Sequence, residues 1–299
     1  MSLLVHIGYH KTATTWLQRR LFEPANGFTQ IVTHQEVWDH LAGPHGLNFT
    51  PEPMARLIAE RRKTVPDGQT PVISSELISG LPFQGGAGSD INATRLAKIV
   101  PDARVLISIR SQMKILPSVY MQYLRRGGTM APKRFFNETH VMGYPGFSSD
   151  HFCFDRLISR YQSLFSQVKV VTQESINSNP NTAARSIAEF AGNPHFKDLS
   201  DTTREARSIP EGAAWMMRGI NHLRRTPINP APFLSLGGDP CLAYSAIERV
   251  TTTRPIKAFV AKRKPIQSFI KERFEDRFTR SNQRLQALVQ HPIDLSDYP

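Results

Sequence analysis

The sequence predicts an α/β fold: three layers, α/β/α, around a central parallel sheet, with a helical C-terminal region. Three observations carry this. Short apolar runs of strand length alternate with helix-patterned segments through about residue 175, and such alternation implies right-handed crossovers between parallel strands. The first run, Leu3-Leu4-Val5-His6-Ile7, ends in Gly8 and a hydroxyl-rich turn before helical spacing begins. Beyond residue 180 the strand-like runs cease and the pattern turns helical.

Leu3 to Ile7 make the first strand, Gly8 permits the turn, and Thr14 or Thr15 can cap a helix through Trp16, Leu17, Leu21 and Phe22. The Gly-, Pro- and His-rich stretch 43–53 reads as a loop. Helix, strand, helix and strand follow at 54–63, 71–75, 91–99 and 104–110, then a helix carrying Ser118, Tyr120, Tyr123 and Leu124. Pro117 requires that helix to start late or to kink. Residues 127–150, with Phe135, Phe136, Tyr144 and Phe147, form a long irregular segment, either a lid or a surface excursion. A helix at 152–165 and a strand at 168–172 complete the alternation. Asn181 is a candidate cap before 183–191, and helices follow at 211–224 and in a long amphipathic segment at 265–290.

With 299 residues, 40% of them hydrophobic, and no internal repeat, the chain can bury one sizeable core. One domain over 1–299 is expected, with a nucleotide-binding α/β core at 1–175 and a mainly helical continuation at 176–299. No stretch approaches a membrane span, and the apolar N-terminal run is too short and lacks the basic leader of a secretory signal. Cys153 and Cys241 make no disulfide framework, so a soluble cytoplasmic protein is the expectation. The formal net charge of +12 asks for an anionic partner. Basic clusters such as Arg61-Arg62-Lys63, Arg125-Arg126 and Lys262-Arg263-Lys264 suit an acidic glycan, or peripheral contact with anionic lipid headgroups. No nucleic-acid module accompanies them, so no nucleic-acid partner is expected. The ten His and two Cys show no C-x-x-C spacing, and no metal site is expected.

The turn after the first strand has the chemistry of an anion cradle. Free N–H groups at a helix start, with the positive end of its dipole, bind anions. Gly8 and Ala13 shape the backbone, Lys11 adds a mobile cation, and Thr12, Thr14 and Thr15 add hydroxyl donors. A nucleoside-triphosphate P-loop needs G-x-x-x-x-G-K-[ST], whereas Lys11 follows Gly8 by three residues with no second Gly before it. A second constellation is the strand ending in Arg110, with Ser118 eight residues on: a guanidinium grips phosphate bidentately and a Ser hydroxyl can complete the shell. Glu76, just beyond Pro71-Val72-Ile73-Ser74-Ser75, reaches the same carboxyl-end rim as Lys11 and Arg110. It can take a proton from an attacking alcohol or amine, or it can simply favour a helix start capped by Ser74 or Ser75. His10, beside Lys11, is the rival base, and His45 a weaker one.

The segment His6-Ile7-Gly8-Tyr9-His10-Lys11-Thr12-Ala13-Thr14-Thr15-Trp16-Leu17-Gln18 resembles the 5′-phosphosulfate loop of the sulfotransferases that use 3′-phosphoadenosine 5′-phosphosulfate (PAPS), in particular the bacterial, carbohydrate-type members. That family usually has Gly where this chain has Ala13, so the backbone there must avoid positive φ or tolerate strain. The spacing of Arg110 and Ser118 is similar to the family's 3′-phosphate site, and Ser74-Ser75-Glu76 resembles the strand end that carries its base. The resemblance implies a P-loop-like fold. It also implies donor binding by Gly8, Lys11, Thr12, Ala13, Thr14, Thr15, Arg110 and Ser118, with Lys11, Glu76 and His10 as catalytic candidates. The implied reaction moves a sulfuryl group to an acceptor hydroxyl or amine, on a small molecule, saccharide or glycolipid, and releases adenosine 3′,5′-bisphosphate without a metal. The match is good over the first 175 residues and loose beyond them. The late R-K-G-x-x-G-D-W-K segment of the cytosolic enzymes is absent, and Arg204-Glu205-Ala206-Arg207-Ser208 approximates R-x-x-R-S, which makes Arg207 a candidate third phosphate contact. A P-loop-type nucleotide or small-molecule kinase and a non-catalytic anion-binding protein are the alternatives. Strands that lead into Ser75-Glu76 and Arg110, rather than into a magnesium-organising Asp, count against the kinase.

Overall fold

The computed structural model describes residues 2–138, 146–203, 209–226, 228–233, 253 and 263–299. Among these, five parallel strands form one sheet: β1 (Leu4–Gly8), β2 (Phe28–Val32), β3 (Thr70–Ser74), β4 (Arg104–Ile109) and β5 (Val168–Thr172). Their spatial order is β2-β3-β1-β4-β5. β1 is therefore central, with His6 opposite Ser74 on one side and Gly8 opposite Ser108 on the other.

Successive side chains in a strand point to opposite faces. Leu4, Val72 and Leu106 pack with Leu17, Leu21, Phe22 and Ile187 in one layer. Val5, Ile7, Ile73, Val105 and Ile107 pack with Leu96, Leu116, Tyr120 and Ile158 in the other. Both faces are covered, which is why these strands read as nearly unbroken apolar runs. The expected α/β/α layering around a parallel sheet is present.

The helices in chain order are α1 (Thr14–Trp16, prolonged by a π-helical turn, Leu17–Leu21), α2 (His34–Val37), α3 (Glu52–Arg62), α4 (Ser89–Ile99), α5 (Gln112–Arg125), α6 (Pro132–Phe135), α7 (Phe154–Leu164), α8 (Gln173–Ser178), α9 (Pro180–Ala191), α10 (Ala214–His222), α11 (Pro265–Phe274) and α12 (Thr279–Leu288). α11 packs on α5 and α12 on α7, so the C-terminal helices extend the larger core with Ile266, Ile270, Phe274, Phe278 and Leu285. No helix among the described residues is long and apolar enough to cross a membrane.

Several local expectations are corrected. β2 and α2 are absent from the sequence reading, although Thr33-His34-Gln35-Glu36 closes a full capping box: Thr33 Oγ1 accepts from Glu36 N, and the Glu36 carboxylate accepts from Thr33 N at 2.8 Å. Neither Thr14 nor Thr15 caps α1; its N-cap is Ala13, which has no side-chain acceptor to offer. Asn181 lies inside α9, whose N-cap is Asn179, and its Oδ1 accepts from Leu199 N at 2.8 Å instead. The segment 265–290 is two helices rather than one. α5 starts five residues before Pro117 and runs through it, which leaves the Met113 carbonyl without its usual N–H partner. In the described part of 127–150, Phe135, Phe136 and Phe147 are buried in the core, with ring centroids of Phe136 and Phe147 4.8 Å apart. Tyr144 and the candidate Arg207 lie outside the described residues.

Candidate active site

β1 ends at Gly8, and Tyr9 N still donates to Ser108 O at 3.0 Å. The chain then folds back over the strand end: Lys11 (φ 71°) and Ala13 (φ 67°) both adopt the left-handed conformation. Each costs an L residue roughly 1–2 kcal/mol, so of the two ways to accommodate Ala13 the chain takes the strained one. Gly8 is required by space rather than by φ, since a Cβ there would lie 2.1 Å from Thr14 Oγ1 and 3.1 Å from Ser108 Oγ. The three threonines separate. Thr12 is fully buried and its hydroxyl donates to Tyr9 O at 2.5 Å, so it faces the core. Thr14 Oγ1 is buried with no hydrogen-bond partner among the described residues. Thr15 is exposed in the first turn of α1.

Beside the cradle lies a cavity of about 500 Å³ whose wall includes Lys11, Arg110 and Ser118. Lys11, Arg110 and Ser118 are the residues that the motifs and the resemblance single out in the sequence, and the fold brings them to one space. Arg110 Nη1 donates to Ser118 Oγ at 3.0 Å and to the Lys11 carbonyl at 3.4 Å, tying the end of β4 to α5 and to the loop. Ser118 in turn donates to Lys114 O at 3.1 Å. Lys114, Arg125, Arg263 and Lys264 line the same cavity and Glu211 is the carboxylate among the described lining residues. None of these five was singled out as a site residue, because each is an ordinary surface charge until α5 and α11 converge. The C-terminal part is thus a wall of the cavity and not only a continuation.

Burial lowers the Arg110 pKa, with Glu174 opposing it. Glu174, at the start of α8, accepts from Ser111 N at 3.3 Å and from the Tyr298 hydroxyl at 3.3 Å, and lies 3.7 Å from Lys114 Nζ. Lys11 meets solvent by area, yet protein crowds its ammonium. That desolvation, followed by the charges of Arg125 and Arg110, lowers its pKa, and Glu76 pulls it back up. Lys11 therefore stands between the cationic cavity and a carboxylate.

That carboxylate begins a 3-10 turn, Glu76–Ser79, capped by Ser75, whose Oγ accepts from Leu77 N at 3.3 Å. The helix-start reading of Ser74-Ser75-Glu76 is thus present, with Ser75 as the cap, and Glu76 is half-buried at that turn. His34 Nδ1 is 3.9 Å from Glu76 Oε2 and 3.0 Å from Ser75 Oγ. His10 is buried and its Nε2 has no partner among the described residues. Burial lowers its pKa to about 4 against the pull of Glu76, so it is neutral at pH 7. His34 escaped sequence reasoning, and the capping-box signature around it is the signal that could have found it. His45 is exposed in its loop and its Nδ1 accepts from Leu47 N. Among the described residues no group of three or more His, Cys, Asp or Glu could hold a metal ion.

No protein-family model matches the chain, and no curated protein does. Similar solved structures include a sulfotransferase from Alicyclobacillus acidocaldarius, 17% identical, covering 83% of this chain and 99% of that one, with a TM-score of 0.48. Another is a mouse sulfotransferase complexed with PAP, 12% identical, covering 96% of this chain and 88% of that one, with a TM-score of 0.44.

Proposed function

We propose that the chain is a PAPS-dependent sulfotransferase acting on an acceptor hydroxyl or amine, of the saccharide or glycolipid class. The observation that carries this reading is the convergence of Lys11, Arg110 and Ser118 on one cationic cavity beside an N–H-lined loop. The residues fit such a donor: Thr14 Oγ1 is a hydroxyl without a hydrogen-bond partner among the described residues, Gly8 keeps the loop narrow, and Lys114, Arg125 and Lys264 add charge for a polyanion. When bound, the donor supplies the sulfuryl group.

Arg110 and Ser118 anchor the 3′-phosphate, and the loop N–H groups of residues 11–15 with the hydroxyls of Thr14 and Thr15 hold the 5′ end. Lys11 neutralises the charge that develops as the leaving group departs, a preorganised electrostatic role. Glu76 orients the acceptor and takes its proton; His10, neutral, with no partner for Nε2 among the described residues and within the field of Glu76, is the rival base. The polar groups of His34, Glu76 and His10 on that side favour a hydroxylated acceptor over a flat apolar one.

The test is differential stabilisation of the purified protein by adenosine 3′,5′-bisphosphate, ATP and ADP, each without and with magnesium. A ligand at 100 times its Kd stabilises the native state by about 2.7 kcal/mol, several degrees in Tm. The reading expects the bisphosphate to stabilise selectively, without magnesium, and the effect to vanish in Arg110→Ala. A magnesium-dependent preference for ATP would select the kinase, and no response to any of the three would remove nucleotide-donor chemistry.

A further inference from the structure

One face of the sheet carries a line of polar groups through an otherwise apolar layer. Ser74 on β3 lies opposite His6 on β1, and Ser108 on β4, in register with Gly8, reaches His6 diagonally, with Gln18 at one end of the line and Thr12 at the other. Gln18 Nε2 is 3.2 Å from Ser74 Oγ, Ser74 Oγ 2.8 Å from His6 Nδ1, and His6 Nε2 3.0 Å from Ser108 Oγ. Ser108 Oγ is 2.8 Å from Thr12 Oγ1, which is 2.5 Å from the Tyr9 carbonyl.

The proton positions follow from the end of this line. A carbonyl only accepts, so Thr12 spends its one proton on Tyr9 O and must accept from Ser108. Ser108 has then spent its proton, so His6 Nε2 must carry the hydrogen that Ser108 accepts. Nδ1 of a neutral imidazole is then an acceptor, Ser74 donates to it, and Ser74 accepts from the Gln18 amide. Every bond runs the same way. We propose that His6 is a positioning residue: fixed as its Nε2–H tautomer, it carries a one-way hydrogen-bond chain that holds the three strand ends of the site in one register.

The placement supports that role. Ser74 is two residues before Glu76, Ser108 two before Arg110, and Thr12 is flanked by Lys11 and Ala13, the two left-handed residues of the loop. One chain therefore reaches each of the groups that the sulfotransferase reading, on which this inference rests, assigns to donor, acceptor and leaving group. Gln18 is itself anchored: its side-chain amide donates also to Ser74 O at 3.0 Å, and its main-chain carbonyl accepts from Gln30 Nε2 at 2.9 Å. His6, Ser108 and Thr12 have no exposed surface. Burying polar groups costs free energy unless all are paired, and apolar side chains of equal volume would fill this layer without that demand. Burial also holds the His6 pKa at about 3, far below the usual 6.5, so the imidazole stays neutral over the working range.

The experiment uses the whole 15N-labelled protein. Two-bond 1H–15N correlations report the His6 tautomer, amide exchange of residues 9–15 reports the loop, and calorimetry reports adenosine 3′,5′-bisphosphate binding. The wild type is expected to show the Nε2–H tautomer from pH 5 to 8. Ser108→Ala should release it to a mixture and speed loop exchange, whereas Ser74→Ala should leave Nε2 protonated. Thr12→Val, which keeps the shape and loses the hydroxyl, should weaken bisphosphate binding about tenfold, and Thr12→Ser should restore it. An Nδ1–H or protonated His6 in the wild type overturns the proposal even if no variant folds. So does a Thr12→Val protein with unchanged loop exchange and binding. If the wild type ignores the bisphosphate yet shows the Nε2–H tautomer and Ser108→Ala loosens the loop, the donor reading falls and the chain stands.

Discussion

The tightest approach in the cradle is between Gly8 and Thr14, and a double-mutant cycle isolates it. Gly8→Ala builds a Cβ 2.1 Å from Thr14 Oγ1, with Ser108 Oγ at 3.1 Å and Thr12 Oγ1 at 3.3 Å behind it. Overpacking of this kind costs about 1–3 kcal/mol, and Ala's smaller unfolded-state entropy returns roughly 0.4–1 kcal/mol, leaving a net loss near 1–2 kcal/mol. Thr14→Ala removes an oxygen that makes no hydrogen bond among the described residues, so its own cost is the packing of one hydroxyl and one methyl, on the order of 1 kcal/mol. In the Thr14→Ala background the 2.1 Å clash is gone, and Gly8→Ala should then cost under about 0.5 kcal/mol. The coupling energy is therefore about 0.5–2 kcal/mol, above the scatter of independent sites over most of that range. Urea unfolding followed through Trp16, buried in α1 next to the loop, measures all four corners. Additivity within about 0.5 kcal/mol would refute the packing argument and with it the claim that Thr14 is held over the strand end.

Lys11→Ala should lower turnover on the order of 100-fold or more while leaving adenosine 3′,5′-bisphosphate binding within a few-fold, which steady-state kinetics beside calorimetry would separate. Arg110→Ala should do the reverse, raising the bisphosphate Kd about 10- to 100-fold because a charge-assisted contact is lost; comparable small effects from both variants would end this division of labour. Glu76→Gln should abolish most turnover with bisphosphate affinity unchanged, and a larger loss in His10→Gln would transfer the base to the imidazole. Burial lowers the pKa of His6, His10 and His151 to about 3, 4 and 3, so between these values and 6.5 the unfolded chain binds protons that the native one refuses. Stability is then complete above pH 6.5 and falls as pH drops below it, by roughly 1.4 kcal/mol per pH unit for each histidine. Equilibrium unfolding at stepped pH should show this, with a shallower fall in His151→Gln; an unchanged slope would mean that His151 is not buried neutral.

β1, β3, β4 and β5 are legible in the sequence because both faces of a parallel sheet are covered, and uninterrupted apolarity survives without any knowledge of neighbours. β2 was not readable for the complementary reason. It sits at the sheet edge, its middle residues Thr29 and Gln30 are polar and partly exposed, and five residues of mixed character resemble a loop. Caps failed in a different way. Thr14, Thr15 and Asn181 are all residues that can cap a helix, but which of several adjacent candidates takes the position depends on where the preceding chain enters, and here Ala13 and Asn179 do. The segment 265–290 divides between Phe274 and Thr279, where the chain passes from α11, seated on α5, to α12, seated on α7.

The site divides along the same line. Lys11, Arg110, Ser118 and Glu76 were accessible because each stands a fixed number of residues beyond a strand end, and parallel strands gather such ends at one rim. What the rim does with them depends on pairings that sequence order conceals. His6 meets Ser74 only because β3 inserts beside β1, inside β2, and meets Ser108 only because β4 takes β1's other flank. Read singly, a His and two Ser in apolar strands are imperfections; joined across three strands they set the direction of every proton between Gln18 and Tyr9. Lys264 and Arg263 enter the same cavity from more than 130 residues beyond Arg125. The formal charge of +12 pointed to an anionic partner but could not say which cations meet it, because a charge acquires a role only from what it is brought beside. In this chain the strand ends position Lys11 and Arg110, and packing of α11 against α5 supplies the remaining positive wall. Loss of that packing should therefore weaken polyanion binding while leaving the cradle itself intact.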